Sequence, residues 1–312
     1  GVMRRALIMC ALAACALVAP LAAIAGARSP VAHTLPTPVL APGLTRAEHT
    51  ALVRSGAYGQ KPITMLLVGD SIALTLGIGL SVDSQQRYGI TISNHSTLGC
   101  DLDPTLPVLT SDKIGPATAG CSEWRALWPF LTAGVHPEVV ALGLGRWETS
   151  DHYFEGHWVH IGQPVWDAHV ASDLRQAIAI FQTFGAKVVL LTMPYIDPPD
   201  LQPDGQPFVE NTPARTQDYN RVVAQVARAD PGEVTAMALN HMLSPGGTYT
   251  ATVDGVLARW SDNIHVSNAG GEFLQRDILP IVDRLGLSVE KTWAEARARG
   301  AKSRTTKTAA SP

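Results

Sequence analysis

Five short, almost unbroken apolar runs, set between stretches of helical spacing, constrain the fold of this chain more than any other feature. The runs are Ile63 to Val68, Tyr88 to Ser93, Glu138 to Leu144, Lys187 to Met193 and Val234 to Leu239. A strand covered on both faces has no solvent side and so loses the polar alternation of a half-exposed strand. Helical patterns over Ser122 to Thr132, Val165 to Phe184, Thr212 to Ala229 and Asn268 to Leu285 separate or follow these runs. Alternation of this kind predicts an α/β domain with a parallel sheet and helices on both faces. Right-handed crossovers leave few doubly wound strand orders. In such sheets ligands bind beyond the carboxyl ends of the strands. Residues 46–287 form one domain on this reading, long enough to bury a large core. A net charge of −3 with no basic stripe in the middle of the chain excludes nucleic acid as a partner.

The two ends read differently. Arg4 and Arg5 precede an apolar, charge-free run from Ala6 to Ala27. It is long enough to span a bilayer, and it also ends in small residues that fit a signal cleavage site. Transmembrane anchor and signal peptide are therefore both kept for residues 1–27, and both export the domain C-terminal to them. A lipoprotein site at Cys15 fits poorly, because the apolar run continues past it. The chain begins Gly1-Val2-Met3. The start is then Met3, or the chain is a piece of a longer protein in which this run is the last helix of a membrane domain. Residues 28–45, with Pro30, Pro36, Pro38 and Pro42, read as an extended linker. Residues 288–312 are polar and basic and read as a disordered tail, with Val289 to Arg299 as a helical extension at most. The localisation expected is the cell envelope, membrane-anchored and facing outside, or secreted.

Of the four cysteines, Cys10 and Cys15 lie in the apolar run, while Cys100 and Cys121 form an even pair in the exported part. In an oxidising compartment that pair suits one disulfide, bracing the loop that holds Gly99; two buried free thiols are the alternative.

Two short motifs carry the chemistry. The first run leads into Gly69-Asp70-Ser71, followed by a helix-compatible stretch. This puts a serine hydroxyl at a strand-to-helix turn on the rim of the sheet, beside backbone N–H groups that can receive negative charge. Alone, the motif reads equally as a helix cap by Asp70 or Ser71. The second motif is Asp262-Asn263-Ile264-His265, just before the last helix, with Ser267 or Asn268 as its cap. An aspartate three residues before a histidine can fix the imidazole tautomer and leave the other nitrogen to take a serine proton.

The pair, Gly-Asp-Ser after the first strand and Asp-x-x-His before the last helix, resembles the SGNH hydrolase superfamily. The resemblance spans roughly Thr64 to Leu285. It implies a flavodoxin-like three-layer sandwich with a five-stranded parallel sheet. It also implies roles: Ser71 as nucleophile, His265 as general base and acid, Asp262 as the orienting carboxylate, and Gly99 as an oxyanion donor. Asp70 joins this oxyanion and substrate-binding group. No cofactor is implied.

The third block departs from the family pattern. Where Gly-x-Asn-Asp is usual, this chain has Gly143-Leu144-Gly145-Arg146-Trp147-Glu148. Arg146 then replaces the asparagine as oxyanion donor or substrate anchor, or it pairs with Glu148 as a structural element. This variant, with Cys121 to Trp124, Ser244 to Tyr249 and Asp254-Gly255, resembles SGNH domains fused to or partnered with bacterial acyltransferase-3 membrane proteins. That resemblance implies acyl transfer, often acetyl, to a cell-surface glycan, with the donor delivered by the membrane domain. An esterase or deacetylase with the same three residues is the alternative, and a non-catalytic glycan-binding domain is a third reading.

The segment from Trp147 to Val170 is rich in histidines and aromatic residues, among them His152, Tyr153, Phe154, His157, Trp158, His160, Trp166 and His169. It follows the third strand and so reads as a lid whose rings stack on a sugar or simply pack. His157 and His160 are closely spaced, but no cysteine or clear carboxylate set accompanies them, so no metal is expected.

Overall fold

The structure, a computed structural model, describes residues 62–116 and 119–309. The expected anchor or signal, the linker and the first residues of the domain lie outside the described residues. Among the described residues no helix is long and apolar enough to cross a membrane.

The five apolar runs are the five strands of one parallel sheet: β1 (Ile63–Gly69), β2 (Ile90–Asn94), β5 (Val139–Gly143), β8 (Lys187–Leu191) and β9 (Val234–Met237). Their spatial order is β2-β1-β5-β8-β9. This is the flavodoxin-like order, whose switch point lies between β1 and β5. Met65, Leu66, Leu67, Val139, Val140, Val188 and Val189 are all fully buried, which is why the inner runs show no alternation. The edge strands are less covered: Thr91 and Ala236 face solvent. The second run begins two residues later than expected. Tyr88 ends the short helix α2 (Ser84–Tyr88), and Gly89, at φ 68°, turns the chain into the strand.

Two groups of helices cover the sheet. One holds α1 (Ser71–Leu80) and α7 (Asn268–Ala309), and the other α3 (Trp124–Val135), α4 (Pro164–Phe181) and α5 (Pro213–Arg228). A short helix, α6 (Leu239–Leu243), follows β9. The contact of α1 with α7 is backbone-close. A Cβ on Gly79 would lie 2.4 Å from the Asn268 carbonyl oxygen and 2.6 Å from Gly271 Cα. Two glycines thus clamp the helix that begins at Ser71 to the helix that follows His265. The last helix does not stop near Leu285; it runs on to Ala309, and Val289 is buried. The helical extension considered for Val289 to Arg299 is present and continues to Ala309, and the buried Val289 carries an apolar contact past Leu287.

The apolar pattern gives no sign of a second, antiparallel sheet that the structure contains. It has the order β4-β3-β6-β7, built from β3 (Pro107–Thr110), β4 (Lys113–Pro116), β6 (Asp151–Phe154) and β7 (His157–Val159). Strands of three or four residues are too short to show a period.

Candidate active site

The site is assembled at the carboxyl end of β1. Gly69, at φ 140°, passes so close to β5 that a Cβ would lie 1.9 Å from the Gly143 carbonyl oxygen. Only glycine fits such a crossing. Asp70 then donates its backbone N–H to that same oxygen at 2.9 Å. Its Oδ1 accepts from the N–H groups of Ile72 (2.8 Å) and Ala73 (3.3 Å), capping α1. Its Oδ2 accepts from the Arg146 N–H at 3.3 Å, tying the third block to the first. Burial raises the Asp70 carboxyl above its ordinary range, against the pull of these three N–H groups and the His265 charge. Asp70 is 1% exposed and engaged on both oxygens, as the cap of α1 and a strap to the third block. Ser71, 8% exposed, is the first residue of the helix so capped.

The second motif is a tight loop. Asp262 Oδ2 stands 2.6 Å from His265 Nδ1. Asp262 Oδ1 accepts from the N–H groups of Ile264 (2.9 Å) and His265 (3.0 Å). Asn263 takes the left-handed conformation that closes this turn, at φ 58°. Partial burial would lift the Asp262 carboxyl, but the hydrogen bonds from the His265 ring, His265 N–H and Ile264 N–H bring it below the ordinary range. An ionised Asp262 holds the proton on Nδ1, leaving Nε2 as the basic nitrogen. His265 Nε2 is buried and has no hydrogen-bond partner among the described residues. Ser267 Oγ accepts from the Gly270 N–H at 2.9 Å and so caps α7, as expected.

Gly99 lies in the loop after β2, at φ 67°. That loop is tied to the end of β1 by the Thr97 N–H, which donates to the Gly69 carbonyl at 2.8 Å. Beneath it, Cys100 and Cys121 form the expected disulfide, with Cα atoms 4.6 Å apart. Gly120 packs directly on the Leu98–Gly99 backbone, where a Cβ would come within 2.1 Å of the Leu98 carbonyl oxygen.

Arg146 is partly buried, with its Nη1 enclosed and without a hydrogen-bond partner among the described residues. It makes no ion pair among the described residues. Burial lowers its pKa from the ordinary value, opposed by the negative charges of Glu210 and Asp70. The expected alternative, a pair with Glu148, is not formed. The Glu148 side chain instead points into the interior, 2% exposed, with neither oxygen in a hydrogen bond of normal geometry. Burial, then the charges of Asp101 and Asp70, push its carboxyl well above the usual range, against nearby backbone N–H groups. The residue next to Arg146 electrostatically is Glu210, which sequence spacing does not single out.

The histidine- and aromatic-rich segment divides in two. His152 and Trp166 are fully buried and stacked, with centroids 4.5 Å apart, and His152 Nε2 lies 3.2 Å from Asp101 Oδ2. Tyr153 and Trp158 face outward and meet edge to face across the hairpin of β6 and β7. This segment is thus half core and half exposed aromatic surface. A second residue that the sequence pattern does not reveal is Arg259. It is 1% exposed, donates through Nη2 to the Tyr195 carbonyl, and has a pKa lowered to about 10 by burial, against the charges of Tyr249 and Asp262. A lone arginine among apolar neighbours, three residues before Asp262, is its one trace in the sequence.

The family model for the SGNH domain, described as fused to AT3 domains, matches residues 42–280. No curated protein matches the chain. Among solved structures, TesA is 22% identical with a TM-score of 0.44, over 71% of this chain and 99% of that one. A GDSL-like lipase from Bacteroides thetaiotaomicron is 13% identical, TM-score 0.43, over 76% and 98%. A catalytic mutant of Axe2, an acetylxylan esterase from Geobacillus stearothermophilus, is 17% identical, TM-score 0.42, over 71% and 94%.

Proposed function

The chain belongs to the SGNH domain family, and from that premise we propose that it is an extracytoplasmic serine-dependent O-acyltransferase acting on a cell-surface glycan. The observation that carries the reading is the Asp262–His265 pair. Nδ1 is locked on the carboxylate, and Nε2 is left open as the basic nitrogen.

In this reading His265 Nε2 takes the Ser71 Oγ proton as Oγ attacks the acyl carbonyl carbon of the donor. The carbonyl oxygen becomes an oxyanion, received by the Gly99 backbone N–H and the Arg146 guanidinium. Collapse expels the donor's leaving group, which takes the proton from His265, and leaves an acyl-serine. A sugar hydroxyl then gives its proton to Nε2 and attacks the acyl carbon. The product is an ester on the sugar, and Ser71 regains its proton. The exposed Tyr153 and Trp158 rings are suited to stack on a sugar and shield the intermediate from water.

Transfer rather than hydrolysis is supported by the family description, in which the domain accompanies AT3 domains. The acyl donor would then come from such a membrane domain. Export is supported by the Cys100–Cys121 bridge, which suits an oxidising compartment. A partition experiment tests the reading. Purified protein is given an activated acetyl donor with and without surface oligosaccharide, and mass spectrometry compares acetylated glycan with free acetate. Acetyl-glycan in excess supports the transferase. Free acetate alone, with stripping of pre-acetylated glycan, replaces it with a deacetylase.

A further inference from the structure

We propose that Asp103, His169 and Asp173 form a binding site for a divalent transition-metal ion, with zinc as the probe ion, separate from the Ser71 centre. The three side chains come from two elements: Asp103 from the loop just beyond the disulfide at Cys100, and His169 and Asp173 from successive turns of α4. One ligand atom from each lies within 4.8 Å of the other two. His169 Nε2 stands 2.9 Å from Asp103 Oδ1 and 3.7 Å from Asp173 Oδ2. Ligands of a tetrahedral zinc ion at ~2.1 Å stand about 3.4 Å apart, so these separations bracket what coordination needs.

The decisive observation is how Asp173 is held. Its side chain is 2% exposed. Oδ1 is anchored from outside by Arg125 Nη2 at 2.7 Å and by Gln176 Nε2 at 3.1 Å. Oδ2, on the side of His169, is buried without a hydrogen-bond partner. An isolated buried acceptor is costly, whereas a carboxylate oriented through one oxygen and free on the other is how metal sites hold a ligand. His169 is fixed by its stack on Trp166, with centroids 5.0 Å apart. His169 and Asp103 are 25% and 13% exposed, so solvent reaches the cluster and water can serve as the fourth ligand.

The donor set also selects the ion. One imidazole and two carboxylates suit zinc or its first-row neighbours, and offer too few oxygens for calcium. Binding forms an Nε2–metal bond, so the proton that Nε2 shares with Asp103 in the metal-free protein passes to solvent. Affinity therefore falls with acid. His157 and His160, the pair with metal-like spacing in the sequence, take no part: His160 Nδ1 lies against the Ile161 carbonyl at 2.7 Å. The ion would pin the disulfide loop to α4, independently of whether the enzyme transfers or hydrolyses.

The test uses the full chain. Metal-stripped protein is dialysed against zinc and counted by elemental analysis, and against cobalt(II) for its visible spectrum, beside magnesium as a control. The expected result is one zinc per chain, a cobalt spectrum of low-symmetry nitrogen and oxygen coordination, and a raised Tm with zinc but not magnesium. His169→Gln and Asp173→Asn should each weaken zinc binding by more than about tenfold while aryl-acetate turnover and circular dichroism hold. No stoichiometric zinc in the wild-type chain overturns the proposal, and so does unchanged uptake in both variants. Should a variant misfold, the wild-type cobalt spectrum decides: lack of a nitrogen-ligated spectrum overturns it.

Discussion

The loop that carries Asp262 and His265 and the corner formed by Gly145 to Glu148 are both polar segments at the rim of the same sheet, yet they are finished differently. In the first, Asp262 accepts three hydrogen bonds from its own loop, and the enclosed polar atom left open is His265 Nε2. In the second, three successive residues leave polar atoms buried and unmet: Arg146 Nη1, Trp147 Nε1 and both oxygens of Glu148. Buried polar groups are rarely left in this way, because each forfeits its hydration without replacement. The first segment is preorganised for one proton. The second holds two buried donors, Arg146 Nη1 and Trp147 Nε1, beside a Glu148 carboxyl whose pKa burial raises well above the usual range.

Four variants break or sharpen that contrast. The largest effect belongs to Ser71→Ala, which should lower aryl-acetate turnover by on the order of 10⁴-fold with the fold retained. Normal turnover in a folded variant would remove Ser71 from the chemistry. Arg146→Ala comes next. As an oxyanion donor it should reduce kcat and kcat/KM together by about 10²- to 10³-fold. A rise in KM alone would make Arg146 a substrate anchor, and no change in either constant would remove Arg146 from the site.

Replacing Cys100 and Cys121 by serine probes the brace beneath Gly99. Denaturant unfolding should register a loss of about 2–4 kcal/mol, the usual range for a closed loop of this kind. Free thiols in the native protein by non-reducing peptide mapping would contradict the bridge itself.

Glu148→Gln should have the smallest effect, visible in pH dependence. The folded state holds the Glu148 proton above the unfolded pKa, near ~4.3. Its contribution to stability is therefore greatest below that pH and declines as pH rises toward the folded value. The glutamine removes this decline, so the melting temperature of the variant should gain on wild type between mildly acid and neutral pH. Parallel curves for the two proteins would mean that Glu148 is ionised in the folded state.

Much of the frame is legible without coordinates. The five strands, the flavodoxin-like order implied by the resemblance, the cap at Ser267 and the partner of Cys100 all rest on local pattern or short motifs, and each recurs in the structure. Boundaries slip where a glycine or an apolar contact redirects the chain, as at Gly89 and Val289. Arg146 is visible as a departure from a pattern, but its surroundings are not. Glu210 contributes to its field from a turn far along the chain, and Glu148 turns inward rather than pairing with it.

By itself the sequence determined the elements of this protein: period and apolar content dictate strand or helix locally, and Gly-Asp-Ser and Asp-x-x-His each place their groups within a single turn. Tertiary structure alone decided which distant groups share an enclosure. The Gly79–Gly271 contact, the antiparallel sheet that carries half of the histidine-rich segment, and the meeting of Asp103 with His169 and Asp173 each join residues far apart in the chain. Such meetings leave no periodic trace, because they depend on how closely whole elements pack rather than on the spacing of residues within any one of them.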